Sequence, residues 1–552
     1  MDNLLNNTVI GLAAVVGGVV VLPRIRARFA LSRAKHRSLA GHSRMAKRIA
    51  RLIPFYEYSE TEFFRVDDAN EAVVEKRIAG LNVLSAYYER TYPRTASLTR
   101  QATEVISDLR FTGAYRLPYQ FSRYLRSRLP SGSFLNSSTG VFVKDLDGNF
   151  FYDLTGSYGV NVLGYDFYKS CIAEGARRVE NLGPVLGAYH PIVLDNAEKL
   201  KEISGLDEVS FHMSGTEAVM QAVRLARYHT GRKNLVRFCG AYHGWWDDVQ
   251  PGIGNPMPPG KTYTLEDMSE RSLCVLEERR DIACVLINPL QALHPNQPAP
   301  GDSALLDSSR TAKFDREAYT RWLKAIREVC TRRGIVMIMD EVFVGFRLAP
   351  GGAQEYFNVQ ADMVTYGKTL GGGLPIGVVC GRRDLMKRYR NDRPADICFA
   401  RGTFNSHPYV MGAMQVFLER INEFDIRLIY SDADRLWNAR VAELNARLES
   451  EGLPVHVENM SSICTISYTR PSRYNWMFQY YLKAEGLMLS WVGTGRLIFS
   501  LNYSDADFST VCTRLIQAAR RMTWDGWWVE TEMTNKQIKG QILGEIWRAR
   551  RA

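Results

Sequence analysis

The chain has 552 residues, which is too long for one compact domain and predicts two to four structural units. Its composition, with 46% hydrophobic and 23% charged residues, excludes a disordered chain and a polytopic membrane protein. The 70 Lys and Arg against 59 Asp and Glu give a net charge of +11, which suits a nucleic acid, an anionic membrane or an acidic ligand.

The amino terminus joins an apolar run to a basic flank. Residues 8–22 read TVIGLAAVVGGVVVL, and residues 24–51 carry ten Lys or Arg and no Asp or Glu. A cleaved signal peptide has its positive charge before the apolar run, whereas here Asp2 precedes it and the arginines follow. We therefore predict a membrane anchor over residues 1–22, with the catalytic body in the cytoplasm and, in a bacterium, at the inner membrane. Fifteen helical residues span roughly 22 Å, less than the ~30 Å hydrocarbon core, so one-sided insertion and a buried helix remain alternatives.

The rest of the chain is nearly neutral, with 60 basic and 59 acidic side chains. It has no nucleic-acid motif, so we predict no nucleic-acid partner. Its nine cysteines are scattered and lack a Cys-X-X-Cys pair, which favours a reducing compartment, free thiols and no metal site. Residues 23–115 are a predicted basic and helical extension, and its aromatic-rich part suits a cap, a dimerisation arm or a substrate-channel wall.

From about Asn136 the chain alternates short β-rich runs with amphipathic helical patterns, which predicts an α/β fold with a mostly parallel sheet and helices on both faces. Active sites in such sheets lie at the carboxyl ends of the strands. Five predicted strands are followed at once by polar or glycine-rich residues: VSFHM (209–213), NLVRF (234–238), ACVLI (283–287), IVMIM (335–339) and MVTYG (363–367).

The first two of these strands are followed by turns that suit a cofactor. Ser214, Gly215 and Thr216 open a predicted helix, whose free N–H groups can bind a phosphate. A serine three residues before Glu217 also forms an ordinary helix cap, so the pattern alone leaves both interpretations open. Tyr242 lies in a glycine-flanked turn, where its ring can stack on a planar ligand or pack within the loop.

The last two strands deliver ionisable side chains. Asp340 and Glu341 follow an apolar strand, and a buried carboxylate there needs a partner, for which a protonated heteroaromatic nitrogen is suitable. Lys368 stands between a strand and the glycines of GKTLGGG. A lone lysine is usually a solvated surface charge, but desolvation and cationic neighbours at such a position make the amine a nucleophile for a Schiff base.

A phosphate-binding turn, a stacking aromatic, a carboxylate and a Schiff-base lysine are the groups that pyridoxal 5′-phosphate requires of a protein. The stretches MSGTEAVMQAVRLAR, GAYHGWWDD, DEVFVGFRLAPGGAQEYF, DMVTYGKTLGGGLPIGVVCG and RGTFNSHP resemble the class III aminotransferases, and GGAQEYF with GKTLGGGLP is most similar to the glutamate-1-semialdehyde 2,1-aminomutase branch. The resemblance covers residues 136–520. It implies a fold type I transferase with a seven-stranded large domain at 166–400, a small α+β domain formed by 116–165 and 401–520, and a homodimer with shared active sites.

The resemblance also implies roles for matching residues. Lys368 would form the Schiff base and then move the substrate proton, while Asp340 would keep the pyridine nitrogen of the cofactor protonated. The other positions would bind the cofactor or the substrate: Tyr242 against the ring, Ser214, Gly215 and Thr216 at the phosphate, Thr403 at the phosphate of the neighbouring subunit, and Ser157 and Tyr158 at the substrate entrance.

The predicted function is transfer of an amino group from a donor to an aldehyde or ketone by a ping-pong aldimine/ketimine mechanism. One alternative is an isomerase of the aminomutase type, which needs no external donor. The other is a non-catalytic scaffold at the membrane, which the intact Lys368 and Asp340 disfavour. Asn288 stands where the family usually has Glu before Pro289, and Met213 replaces a common asparagine. Because of these two differences, the resemblance does not identify the substrate.

Residues 521–552 form a predicted tail with four tryptophans and an amphipathic helix that ends in arginines. Tryptophan with arginine suits a membrane surface, and a helix packed on the protein body or on a dimer partner has the same pattern. If both the anchor and the tail contact lipid, a long-chain or carrier-bound carbonyl compound would fit as substrate.

Overall fold

The computed structural model describes residues 22–551, apart from residues 131, 133, 251, 258–259, 299–307, 309, 311 and 490–495. The predicted anchor therefore lies outside the described residues, except for Leu22, the first residue of the first helix. Within the described part, no helix combines the length and the apolar character needed to cross a membrane.

Helices occur along the whole described chain. They are α1 (Leu22–Arg33), α2 (Ser43–Ala50), α3 (Glu60–Arg65), α4 (Glu71–Thr91), α5 (Pro93–Val105), α6 (Ser107–Tyr115), α7 (Tyr119–Arg128), α8 (Tyr165–Val179), α9 (Ile192–Ser204), α10 (Gly215–Thr230), α11 (Glu270–Glu278), α12 (Arg316–Arg333), α13 (Gly352–Phe357), α14 (Arg383–Met386), α15 (Pro408–Arg420), α16 (Phe424–Ser450), α17 (Phe478–Ala484), α18 (Asp505–Trp524) and α19 (Asn535–Arg551).

The strands form one large and two small sheets. They are β1 (Leu135–Thr139), β2 (Phe142–Asp145), β3 (Phe150–Asp153), β4 (Glu208–His212), β5 (Asn234–Phe238), β6 (Thr262–Leu265), β7 (Ile282–Ile287), β8 (Val336–Asp340), β9 (Met363–Gly367), β10 (Gly377–Gly381), β11 (Val455–Met460), β12 (Ile463–Tyr468), β13 (Leu487–Met488) and β14 (Arg496–Ile498).

The large sheet has seven strands among the described residues, in the order β4-β10-β9-β8-β7-β5-β6. Strands β6, β5, β7, β8 and β9 are parallel, whereas β10 is antiparallel to both of its neighbours, β9 and β4. The five strands predicted from the sequence are confirmed to within one residue at each end. Strands β6 and β10 complete the sheet, which is mostly parallel as predicted.

Each face of this sheet packs against a separate hydrophobic core. Val285 and Met337 belong to one buried cluster, while their neighbours Leu286 and Ile338 belong to the other, which also contains the buried face of α10. Because successive side chains of a strand point to opposite faces, this division shows that helices cover both sides of the sheet. The strand ends are thereby held rigidly at one edge, where α10 begins.

The two small sheets have the strand orders β1-β2-β3-β13 and β11-β12-β14. The first leads directly into a 3-10 turn, Gly156–Gly159, and the second contains Arg496 at the start of β14. Both features border cavities described below. The grouping of these segments into one small α+β domain stays a prediction.

The amino-terminal extension and the carboxyl-terminal tail pack on the same part of the body. Arg473, which is 3% exposed, donates from Nε to Asp67 Oδ1 at 2.7 Å and from Nη1 to Glu545 Oε1 at 2.7 Å. Asp67 follows α3 and Glu545 lies on α19, so one buried guanidinium joins both additions to the core. The helices predicted in the extension are confirmed as α3 to α6.

The tail decides between the two interpretations that its sequence leaves open. Trp527 and Trp528 are 0% and 2% exposed, and their indole N–H groups donate to Tyr481 Oη at 2.7 Å and to Asn475 Oδ1 at 2.8 Å. The membrane-surface interpretation is therefore wrong for these two tryptophans, and packing on the protein body is confirmed. The physical reason is that an exposed apolar surface rich in tryptophan can be covered by lipid or by a protein core.

Candidate active site

A cavity of about 420 Å³ lies at the carboxyl ends of the parallel strands, where the sequence places the chemistry. It brings together the ends of β4, β5, β7, β8 and β9. The predicted residues that line it are Ser214, Gly215, Thr216, Tyr242, Asp340 and Lys368. Six positions predicted from four separate stretches of sequence therefore meet in one place.

Lys368 is the first residue after β9 and has a φ of 48°, a left-handed conformation that costs energy for a residue with a side chain. Burial of its amine lowers the pKa of Lys368 to about 8, since the negative charge of Asp340 opposes this only in part and the positive charges of Arg496 and Arg347 add to it. A fraction of the amine is therefore neutral near pH 7, which is the form that acts as nucleophile and base.

Asp340 ends the central strand β8 and is 5% exposed. Its Oδ2 accepts a hydrogen bond from His243 Nδ1 at 2.7 Å, while its Oδ1 accepts from Val342 N at 3.2 Å and from Thr365 Oγ1 at 3.3 Å. These donors fix the carboxylate in one orientation. Its charge then remains available to a cationic group in the cavity.

The sequence places His243 in a turn and predicts no role for it. It is 2% exposed, and burial lowers its pKa, so we assign the neutral ring with the proton on Nδ1, facing Asp340. Its Nε2 is buried without a hydrogen-bond partner among the described residues. The ring therefore acts through Asp340, as an orienting group.

The phosphate-binding turn has the predicted form. Ser214 is the N-cap of α10, with Oγ accepting from Glu217 N at 3.3 Å, so the capping interpretation is confirmed and phosphate binding at the same turn stays a prediction. The N–H groups of Gly215 and Thr216 belong to the first turn of this sixteen-residue helix, where no backbone acceptor exists. An added Cβ on Gly215 would lie 2.5 Å from Val342 Cγ1, so only glycine fits there.

Gly377, on the neighbouring strand β10, has no room for a side chain because an added Cβ would collide with the carbonyl oxygen of Ser214. We expect Gly377→Ala to displace this turn and to weaken binding of the phosphorylated cofactor by at least about tenfold. Gly540→Ala is the matched control, since nothing lies within 4 Å of its added Cβ. Titration of cofactor-depleted protein, followed by absorbance, measures both affinities, and equal affinity of the two variants would contradict the assignment.

Tyr242 and Asn288 border the open side of the cavity. Tyr242 is 63% exposed, and its carbonyl oxygen accepts a hydrogen bond from Asn288 Nδ2 at 2.7 Å. The exposed ring is free to cover a ligand, which keeps the stacking role as a prediction. Asn288, the departure from the family pattern, thus supports the Tyr242 turn by a hydrogen bond that a glutamate carboxylate does not donate.

Three predicted site residues lie elsewhere. Thr403 is exposed on a loop and lines a separate surface cavity of about 460 Å³, so its predicted contact with a neighbouring subunit stays a prediction. Ser157 and Tyr158 line a different cavity, on the other side of the turn that ends in Gly159.

Sequence reasoning missed Arg496, which lines the cavity, and its hydrogen-bond partner His294. Arg496 Nη2 lies 2.6 Å from Nε2 of the buried His294 and lines the Lys368 cavity, and burial lowers the pKa of Arg496 to about 9. Burial lowers the pKa of His294 to about 3, so His294 is neutral and accepts from the guanidinium. A single arginine in TGRLIFS gave no signal that the fold would place it beside Lys368.

These groups fit pyridoxal 5′-phosphate. The cavity offers an amine at Lys368, a fixed carboxylate at Asp340 and, at Gly215 and Thr216, a helix amino terminus that suits an anion. An amine, a buried acid and a phosphate-binding turn are all on the walls of one space.

Comparison with known protein families agrees with this assignment of the cofactor. The family model described as aminotransferase class-III matches residues 126–249 and 315–519, more than half of the chain. Glutamate-1-semialdehyde 2,1-aminomutase of Methanothermobacter thermautotrophicus is 33% identical over 368 residues, which cover 64% of this chain and 81% of that protein. The enzyme of the same name from Hyperthermus butylicus is 32% identical over 351 residues, covering 62% of this chain and 78% of that protein.

Solved structures show the same fold. A glutamate-1-semialdehyde aminomutase from Pseudomonas aeruginosa PAO1, in complex with PMP, superposes with a TM-score of 0.64 at 18% identity, covering 81% of this chain and 99% of that chain. A β-phenylalanine aminotransferase from Variovorax paradoxus gives 0.61 at 22% identity, covering 80% and 96%. The predicted fold type I architecture is therefore confirmed.

Proposed function

Because the chain belongs to the class III aminotransferases, and is thus a pyridoxal-phosphate-dependent enzyme, we propose that it transfers an amino group from an amino donor to an aldehyde or ketone. The observation that carries this proposal is the convergence of Lys368 and Asp340 in one cavity, each at the end of its own strand. The roles given below to individual residues are part of the proposal.

When bound, pyridoxal phosphate supplies an aldehyde that links to an amine and a ring that takes up the electrons released when a substrate C–H bond breaks. Lys368 Nζ takes that proton and returns it at another carbon. A pKa of about 8 suits this task, since a base works best when its pKa is near the working pH.

Asp340 and the first turn of α10 hold the two ends of the cofactor. The carboxylate, fixed by His243, stabilises a proton on the ring nitrogen, because a buried negative charge favours a cation beside it. Gly215 N and Thr216 N donate to the phosphate at the positive end of the helix. Arg496 offers a partly buried positive charge to an acidic substrate group.

An aminomutase is the second candidate, since curated relatives at 33% and 32% identity carry that name. Two-substrate kinetics separates the candidates. A transferase gives parallel double-reciprocal lines when donor and acceptor are varied, with one oxo acid released for each amine formed. Turnover of a single substrate at full rate without a donor would favour the isomerase.

We also propose that the enzyme is a homodimer, as class III aminotransferases generally are, with Thr403 reaching the site of the other subunit. Residues 8–22 would hold it at a membrane with the body in the cytoplasm. The exposed arginines that follow, such as Arg24 and Arg26 on α1, suit an anionic lipid surface. Deleting residues 1–21 should move the protein from the membrane fraction to the supernatant, and an unchanged distribution would contradict the anchor.

A further inference from the structure

The amino-terminal extension reaches the edge of the large sheet where the active site lies. The carbonyl oxygen of the buried Ala34 accepts a hydrogen bond at 2.8 Å from the N–H group of Glu266, the residue after β6. Ser38 Oγ lies 3.6 Å from Sγ of the buried Cys239, the residue after β5. Because β5 and β6 are parallel, both contacts are at the carboxyl ends of strands, the edge that carries the active-site cavity.

The chain after β5 forms an irregular loop, residues 240–250 and 252–257, which we call the Tyr242 loop. It carries Tyr242 and His243, and it contains neither helix nor strand in these residues. An added Cβ on Gly244 would lie 2.4 Å from Thr216 Oγ1, so the loop also packs closely against the first turn of α10. Irregular backbone is costly to order, so the position of this loop depends on the individual contacts that hold it.

A buried guanidinium fixes the first half of the Tyr242 loop. Arg237, on β5, is 6% exposed and donates from Nη2 to the carbonyl oxygen of Ala241 and from Nη1 to that of Val249. These two acceptors flank Tyr242 and His243 in the sequence. One side chain therefore holds both ends of the segment that carries them.

Lys47 holds the second half of the loop from the extension. It lies on α2, and its Nζ donates to the carbonyl oxygen of Asn255 and, at 3.0 Å, to that of Met257. Asn255 is 3% exposed, and its side chain donates to Asp247 O at 3.0 Å and accepts from Met257 N at 2.9 Å. Since Asp247 is only four residues after His243, one asparagine links Lys47 to the segment that enters the active site.

We propose that Lys47 is a positioning residue of the active site, supplied by the amino-terminal extension, which holds the Tyr242 loop so that Tyr242 and His243 keep their places beside the cavity. Lys47 does not itself line that cavity. The inference rests on the proposed function, because it assigns a part in that reaction to a residue outside the site. It also gives the extension a role that differs from a cap, a dimerisation arm or a channel wall.

The expected effect of removing Lys47 is moderate, because Asn288 and Arg237 also hold the loop. Lys47→Met keeps the length of the side chain and removes its N–H donors. We expect the rate of the half-reaction with an amino donor to fall by about fivefold to tenfold, the size of effect that loss of a hydrogen bond from a charged donor produces. Stopped-flow absorbance of the holoenzyme measures this rate.

Two further variants separate the lost donors from a general change in the extension. Arg48→Met is the matched control, because Arg48 is the next residue of α2 and is exposed, and its rate should equal that of the unmodified enzyme. Lys47→Arg keeps a long cationic side chain with several N–H donors, so it should restore most of the rate.

Hydrogen exchange and circular dichroism give readouts that do not depend on turnover. Amides of the Tyr242 loop should exchange at least about tenfold faster in Lys47→Met than in Arg48→Met, both with and without cofactor, because the loop loses two of its contacts. The visible circular dichroism of the bound cofactor, which reports its asymmetric surroundings, should decrease in Lys47→Met only. A residue that merely seats α2 on the body would change exchange in α2 and leave both signals of the active site as they are.

Equal loop exchange and equal circular dichroism in Lys47→Met and Arg48→Met would overturn the positioning role, and so would faster loop exchange at an unchanged rate. If Lys47→Met does not fold, Lys47→Gln, which keeps a shorter donor, serves the same comparison. A Lys47-dependent loop and cofactor signal in an enzyme that transfers no amino group would overturn the proposed function and leave the positioning role standing. Amino transfer with a loop that is indifferent to Lys47 would retain the function and reject the role.

Discussion

Replacing Lys368 by alanine is expected to abolish amino transfer, with a loss of at least about a thousandfold in kcat/KM. The amine is the only lysine nitrogen that lines the cavity among the described residues, and it is both the group that links to the cofactor and the base that moves the proton. The variant should also lose the visible absorbance of the lysine-bound cofactor, while the phosphate-binding turn at Gly215 and the carboxylate of Asp340 still hold the cofactor non-covalently.

Lys324→Ala is the control for this experiment, because that lysine is exposed on α12 and does not line the cavity. It should keep the spectrum and the rate of the unmodified enzyme. An unchanged visible spectrum in Lys368→Ala would mean that another amine carries the cofactor, and the assignment of Lys368 as the Schiff-base lysine would be wrong.

Replacing Asp340 by asparagine is expected to lower kcat by about 10²- to 10³-fold while the cofactor stays bound. The amide keeps the size of the side chain but removes the charge that favours a protonated ring nitrogen. It also changes the partner of His243, whose Nδ1–H can still donate to the amide oxygen. Stopped-flow measurement of the half-reaction with an amino donor separates this loss in the chemical step from any loss of binding.

Asp315→Asn is a suitable control because Asp315 caps α12 through Ala318 N at 2.9 Å, and asparagine caps helices equally well. Its rate and its thermal midpoint should match those of the unmodified enzyme. A rate for Asp340→Asn within threefold of normal would contradict the role of the carboxylate charge.

Most of the strand ends that form the active-site cavity could be predicted, because local sequence patterns specify them. Apolar runs of strand length followed by Ser214, Asp340 or Lys368 mark the carboxyl ends of parallel strands, and the topology then brings these ends together. The sequence does not predict β10 as part of this sheet, since its place between β9 and β4 depends on antiparallel pairing with β4, which lies far away in the sequence.

The partners of the catalytic groups could not be predicted for the same reason. His243 meets Asp340 across 97 residues of sequence, and Arg496 meets His294 across 202. Residue pairs so far apart leave no periodic pattern in the local sequence from which they could be predicted. The left-handed turn at Ser157 and Tyr158 was equally invisible, since its flanking glycines predict a turn without predicting that both central residues have positive φ. The tail shows that one sequence pattern can fit two partners. Its tryptophans suit lipid or a protein core, and only the burial of Trp527 and Trp528 in the structure decides between them.

Transfer of nitrogen from donor to product is the central claim, and an isotope experiment tests it most directly. The holoenzyme is incubated with ¹⁵N-labelled amino donor and an unlabelled oxo acid acceptor, and the product amine is analysed by mass spectrometry. The account predicts product that carries ¹⁵N, one oxo acid released from the donor for each labelled molecule, and no labelled product with Lys368→Ala. Product formed at the same rate from a single amino-aldehyde, unlabelled and without any donor-derived oxo acid, would contradict it.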